Sequence, residues 1–245
     1  MNKNKNSYII LYATVMVVIV AAVLSLAATS LAPMQAANVK TEKMMAILNS
    51  IGEGKDAASA PDKKAYVEAE YDKFIVNAFC VDAAGNKVES VSADDVLKQL
   101  DNLPAVFAAK AELPVFEAKL SDGELLYVVP TTGKGLWGDI WGYIALKSDC
   151  NRVYGAILDH KSETPGLGAE IATPEFSAEF VGKEIFKGGK YVGITLTKGV
   201  GSSIGNPNAV DAVTGGTLTS NGVTNMLVEC LGDYVPFFDK VKGEL

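Results

Sequence analysis

The chain predicts an α+β fold joined to a single N-terminal transmembrane helix. Three observations carry this: an uncharged apolar stretch near the N-terminus, four consecutive short strands separated by tight turn signals, and a helix, strand and helix that follow them. With 245 residues, 49% of them hydrophobic, and a mean hydropathy of +0.18, the chain can bury one sizeable core and still supply a membrane segment.

Lys3 and Lys5 lie at the N-terminus, and no further charge occurs before Lys40. Within that gap residues 8–31 are almost wholly apolar, and about 20 such residues suffice to cross a bilayer core as a helix. The lysines place residues 1–7 on the cytoplasmic side and everything after Leu31 outside. Ser25-Leu26-Ala27 and Ser30-Leu31-Ala32 would also suit a cleaved signal peptide, but such signals have apolar cores of only about 7 to 15 residues, so an uncleaved anchor is favoured. None of the three cysteines, Cys80, Cys150 and Cys230, lies near the anchor.

Residues 32–113 read as a helical stalk and the first part of the soluble region. A helix should run from Pro33 to about Gly52, with Met44, Met45, Ile47, Leu48 and Ile51 on its apolar face. A loop with Pro61 leads to a second helix over residues 63–77. Asn86 beside Gly85 makes a turn, and Ser92 caps a short helix over residues 92–100. The main body spans residues 114–245. Strands are predicted over residues 115–120, 124–130, 139–146 and 152–160, with turns at Ser121-Asp122-Gly123, Thr132-Gly133-Lys134-Gly135 and Ser148-Asp149. Tight turns between consecutive strands imply an antiparallel sheet. A helix over residues 173–186, with Pro174 in its first turn, and a strand over residues 190–198 follow.

A formal net charge of −7 and a pI near 4.9 argue against nucleic acid as a partner. No C-x-x-C or Cys/His cluster exists to hold a metal, and His160 is the single histidine. A Ser or Thr hydrolase would need His160 with Asp159 or Asp211; adjacent strand residues such as Asp159 and His160 point to opposite faces, which opposes that pair.

The stretch from Asp211 to Gly222 is the strongest binding signal. Thr214, Thr217, Thr219 and Ser220 flank Gly215 and Gly216, whose backbones can take φ > 0, and a helix should follow at once. Thr219 and Ser220 are plausible N-caps; Val223, Met226, Leu227, Cys230 and Leu231 recur at helical spacing; and Gly232 is a stop. Thr217 then sits at the helix mouth, where unpaired N–H groups and the dipole favour a phosphate. A turn that merely caps a core helix would use the same residues. Thr164-Pro165-Gly166-Leu167-Gly168 has Pro and Gly where a type II turn wants them, either as a ligand-facing loop or as a tight connector. Trp137, in Gly135-Leu136-Trp137-Gly138, and Trp141 read on residue type alone as core aromatics.

Asp211, Thr214, Gly215, Gly216, Thr217 and Thr219 match the flavinylation motif of the FMN-binding domain family, with Gly216 where Ala is usual. The run from Glu163 to Gly168 and the Gly135-Leu136-Trp137 element resemble two further segments of that family. The resemblance implies FMN in a phosphoester bond to Thr217. It also implies that Thr214, Gly215, Gly216, Leu218 and Thr219 surround the attachment point, and that Thr164, Pro165, Gly166, Leu167 and Gly168 lie along the isoalloxazine ring with Trp137 beside it. A Thr hydroxyl is a poor nucleophile without a neighbouring base, and no His adjoins Thr217, so an external catalyst is needed. In the family this is a Mg-dependent flavin transferase using FAD, for which Asp211 and Thr219 would be recognition residues.

Anchor, G-L-W, T-P-G-L-G and Thr motif occur in an order that resembles the flavin-bearing C-type subunits of Na+-translocating NADH:quinone reductases. The G-type subunits of Rnf electron-transport complexes are the alternative. The G-L-W-G-D-I-W-G-Y-I-A-L run, the S-N-G-V continuation and the long region before the sheet resemble the quinone-reductase family more. The implied protein is an electron-carrying member of an ion-translocating oxidoreductase complex. It would be single-pass in a bacterial inner membrane, with its soluble domain on the periplasmic side and the complex's other subunits as partners. A cofactor-free anchored binding domain is the competing function class.

Overall fold

The computed structural model describes residues 6–244. Lys3 and Lys5, on which the predicted orientation rests, lie outside the described residues. The chain divides into two compact units, one ending at Glu42 and the other running from Lys43 to the C-terminus.

The first unit is helical. Helix α1 (Asn6–Ser50) begins in it and is continuous through Pro33. It is long and apolar enough to cross a membrane, and its most apolar window is wholly exposed, as a span facing lipid would be.

The second unit opens on the last two turns of α1, where Met44, Ile47 and Leu48 are buried. Helix α2 (Lys63–Phe74) is capped by Asp62, whose carboxylate accepts from the Ala65 amide at 3.1 Å. The predicted helix over residues 63–77 therefore ends early. From Ile75 the chain becomes strand β1 (Ile75–Val81), because the β-branched Ile75 and Val81 pack into the sheet rather than onto a helix face. Gly85, at φ 73°, turns the chain beside Asn86 as expected. Helix α3 (Ala93–Gln99) starts at the predicted Ser92 cap. Helix α4 (Leu103–Ala109), too short to show a period in the sequence, follows.

Strands β2 (Leu113–Lys119), β3 (Leu125–Lys134), β4 (Asp139–Lys147) and β5 (Val153–His160) form the antiparallel run that the turn signals predicted, and β1, which was not predicted, pairs with β2 to make the sheet five-stranded. Strand β3 runs on to Lys134, so the expected turn at residues 132–135 is displaced to residues 135–138, where the Gly135 amide donates to the Gly138 carbonyl. The predicted helix over residues 173–186 shrinks to α5 (Pro174–Ala178), with Thr173 as cap, and a 3-10 turn (Gly168–Ala172) precedes it. The chain then turns through Gly182 into the short pair β6 (Phe186–Lys187) and β7 (Lys190–Tyr191). The single strand expected over residues 190–198 is thus split into β7 and β8 (Thr195–Thr197), and β8 pairs in parallel with β9 (Ala209–Asp211). Helix α6 (Thr217–Asp233) lies on β3, burying Val223, Met226, Leu227, Cys230 and Leu231, the positions chosen by spacing. Gly232 does not stop it; α6 ends one residue later and α7 (Val235–Glu244) completes the chain, burying Phe237 and Phe238.

Candidate functional site

Three segments far apart in sequence meet at the N-terminus of α6. They are the hairpin of residues 135–138, the loop of residues 163–168, and residues 213–220. Glycines permit the approach. A Cβ on Gly222 would overlap the carbonyl oxygen of Lys134, and one on Gly168 would overlap Thr219 Oγ1 and come within 2.5 Å of Glu163 Oε2. The first half of α6 thus lies backbone to backbone on the end of β3.

Helix α6 begins at Thr217 with Gly216 as its cap, not at the Thr219 or Ser220 caps predicted. Two contacts explain the earlier start. The Ser220 amide donates to the Gly216 carbonyl at 2.8 Å, and Ser220 Oγ accepts from the Val213 amide at 3.1 Å, folding residues 213–216 over the helix end. Gly215 takes the expected left-handed conformation at φ 76°; Gly216, at φ −103°, does not. Among the described residues no side chain caps this end, and the amides of Thr217, Leu218 and Thr219 find no acceptor.

Thr214, Gly215, Thr217 and Leu218 are exposed around this helix mouth. Across from them Thr164, Pro165, Gly166 and Leu167 form the predicted type II turn: Gly166 has φ 75° and the Leu167 amide donates to the Thr164 carbonyl at 3.1 Å. Gly168 is buried behind the turn. A Cβ on Gly215 would lie 2.6 Å from Leu167 Cδ2, so the two loops touch. Trp137 is not a core aromatic. It is 66% exposed, beside exposed Leu136, whereas Trp141 is half-buried.

Glu163, the first residue of the run ending at Gly168, is the part of the site that sequence reasoning missed. It is 5% exposed. One carboxylate oxygen accepts from the Trp137 amide at 2.8 Å and the other from the Thr219 hydroxyl at 2.7 Å. Burial, the largest single influence, opposes its ionisation. The Thr219 hydroxyl and the amides of Trp137 and Gly138, with a smaller contribution from His160, outweigh it and hold the carboxyl below its ordinary value. His160 Nδ1 accepts from the Glu163 amide at 3.2 Å. The sequence did hold a signal: an acidic residue directly before an apolar tight turn.

Asp211 faces elsewhere. Its carboxylate accepts from the Gly201 amide, from the Ser203 amide at 2.8 Å and from Ser202 Oγ at 3.4 Å, and bonding to Ser203, then Gly201, draws its pKa down. Asp211 and His160 are therefore each engaged with other groups, and the hydrolase arrangement is not assembled. Cys80, Cys150 and Cys230 are free and buried, and burial pushes each thiol up to about 12, which leaves them unreactive at neutral pH.

An open helix mouth with three N–H groups that find no acceptor, beside a Pro-Gly turn and the exposed apolar Leu167 and Leu218, and tied through Glu163 to the backbone of exposed Trp137, suits a phosphorylated planar ligand such as FMN. Residues 135–232 match the model of the FMN-binding domain family, a segment that begins at the hairpin and ends in α6. The chain is 31% identical over 229 residues to the C-type subunit of the Na(+)-translocating NADH-quinone reductase of Vibrio vulnificus, covering 90% of this chain and 89% of that one. It is similar in structure to the corresponding protein of Parabacteroides distasonis (TM-score 0.70, 39% identity, 84% of this chain and 95% of that chain) and to NqrC of Shewanella oneidensis (TM-score 0.69, 27% identity, 84% and 99%). The chain belongs to the NqrC family, the C-type subunits of Na+-translocating NADH:quinone reductases.

Proposed function

We propose that the chain is the membrane-anchored flavoprotein subunit of a Na+-translocating NADH:quinone oxidoreductase, holding FMN covalently through the Thr217 hydroxyl. One observation carries the attachment point. Thr217 is exposed at the first position of α6, beside amides that lack acceptors, so its hydroxyl and a phosphate on those amides would share one place. FMN, when bound, exchanges one or two electrons. The chain's own residues orient it: Trp137 and residues 164–168 flank the ring, Leu218 adds an apolar wall, buried Gly216 caps the helix, and exposed Thr214 and Gly215 leave the approach open. The residues on either side of Thr217, Gly216 and Leu218, carry no titrating group to activate it, which supports loading by a Mg-dependent flavin transferase with FAD as donor. In this reading residues 8–31 cross the bacterial inner membrane, residues 114–245 form the FMN-binding domain on the periplasmic side, and the complex's other subunits donate and accept the electrons.

The test is a denaturing gel viewed under ultraviolet light, with full chain co-expressed beside a flavin transferase. Fluorescence should survive denaturation in the parent and vanish in Thr217→Ala. Fluorescence in both would move the attachment to another residue. Darkness in both, with the transferase active on a control substrate, would favour the cofactor-free binding domain.

A further inference from the structure

The two binding motifs, 56 residues apart, are joined at one buried contact. The Thr219 hydroxyl donates to Glu163 Oε2 at 2.7 Å, and neither side chain is more than 5% exposed. The Thr219 hydroxyl thus directs its proton to Glu163, inside the fold. Its carboxylate partner reaches on to the Trp137 amide, and Ser162 Oγ donates to the Trp137 carbonyl at 2.9 Å, so the hairpin is tied at both the N–H and the C=O of one residue. The packing leaves no slack. A Cβ on Gly135 would lie 2.5 Å from Glu163 Oε1, one on Gly168 2.5 Å from Oε2, and one on Gly138 2.6 Å from Ser162 Oγ. Thr217 lies two residues before Thr219 on the same helical turn, so what fixes Thr219 also fixes the direction in which Thr217 faces.

Resting on the flavin-attachment reading, we propose that Glu163 and Thr219 are a positioning pair. The buried carboxylate locks the first turn of α6 to the Trp137 hairpin, and so holds the Thr217 hydroxyl in the geometry needed for transfer before any flavin arrives. The pair touches neither the phosphate nor the ring; it acts through Thr217 and Trp137. The transfer it serves forms the bond from Thr217 oxygen to the FMN phosphorus, breaks the pyrophosphate of FAD, releases AMP and passes the hydroxyl proton to the external catalyst, with no change of oxidation state. Held geometry matters because displacement of a reacting group by about 1 Å can slow a reaction by as much as about a hundredfold.

The experiment follows the initial rate of flavin transfer from FAD to the full-length chain by a flavin transferase, at a temperature where every variant is folded. Thr217→Ala serves as the blank. Thr219→Ser, which keeps the donor, should load at the parent rate. Thr219→Val and Glu163→Ala should each load about tenfold or more slowly, through kcat rather than KM for FAD. The double variant should be no slower than the slower single, since both break one contact. As a flavin-free readout, Trp137 emission in a Trp141→Phe background should become more quenchable by acrylamide in Glu163→Ala. If Thr219→Val loads like the parent, or the two defects multiply, the pair is not a positioning unit, although the attachment reading stands. If the parent itself takes no flavin while the transferase is active on a control, the attachment reading falls and the proposal falls with it.

Discussion

Two loops of the second unit are each folded around a single carboxylate, and they differ in where the donors come from. Glu163 is buried and collects the Trp137 amide and the Thr219 hydroxyl, 26 and 56 residues away in sequence. Asp211 is half-buried and collects Gly201, Ser202 and Ser203, all within ten residues. Beside it Val200 and Ile204 stand 92% and 85% exposed, so the loop it holds contributes nothing to the core. A carboxylate that ties distant segments stabilises the site only because burial prevents water from replacing its donors. One that organises its own neighbourhood shapes a loop and leaves the rest of the fold unaffected.

The largest effect should come from breaking the backbone contact on which the Glu163 arrangement depends. Gly222→Ala sets a methyl group against the Lys134 carbonyl, a backbone atom that cannot rotate away. Helix α6 must then lift from the end of β3, which pulls Thr219 from Glu163 as well. We expect a loss of about 3 kcal/mol, read by urea unfolding, in line with overpacking plus a loosened buried hydrogen bond. A loss under about 1 kcal/mol would mean that the helix slides without strain and that the close approach is dispensable.

This contact also marks what the sequence could and could not disclose. The four strands from β2 to β5 were legible because Ser121-Asp122-Gly123 and Ser148-Asp149 punctuate runs of β-branched and aromatic residues. The buried face of α6 was legible from the spacing of Val223, Met226, Leu227, Cys230 and Leu231. Strand β1 was not, since Ile75 and Val76 directly continue a helical pattern and only pairing with β2 makes them a strand. The cap of α6 was misplaced by three or four residues, at Thr219 or Ser220 instead of Gly216, because Thr219 and Ser220 look like caps. Tertiary partners claim them instead: Thr219 bonds Glu163, and Ser220 Oγ receives the Val213 amide. The role of Glu163 was hidden for the same reason, as its donors lie 26 and 56 residues off.

An intermediate effect should appear with pH. Both carboxyls have folded-state pKa values below their ordinary ones, 4.5 for Glu163 and 3.8 for Asp211, so each contributes stability that is present above the ordinary value and lost as pH falls through the lowered one. The parent should lose stability on acidification from about pH 5 to about pH 3, and Glu163→Gln should lose less over the same interval. Urea unfolding at several pH values checks this. Curves that stay parallel down to about pH 3 would show that the Glu163 charge contributes nothing and that only its shape matters.

The smallest effect should be that of Asp211→Ala. Its donors remain near solvent, so water replaces most of what the carboxylate accepts, and the global loss should stay below about 1 kcal/mol. The consequence should be local. With Gly201 and Ser203 released, residues 199–205 should be cut sooner in limited proteolysis, while Trp137 emission, which reports the Glu163 side, stays as in the parent. A global loss as large as that of Gly222→Ala would refute the division. It would mean that the turn through Gly215 relies on Asp211 to hold β9 beside β8, and that the two carboxylates belong to one cooperative unit.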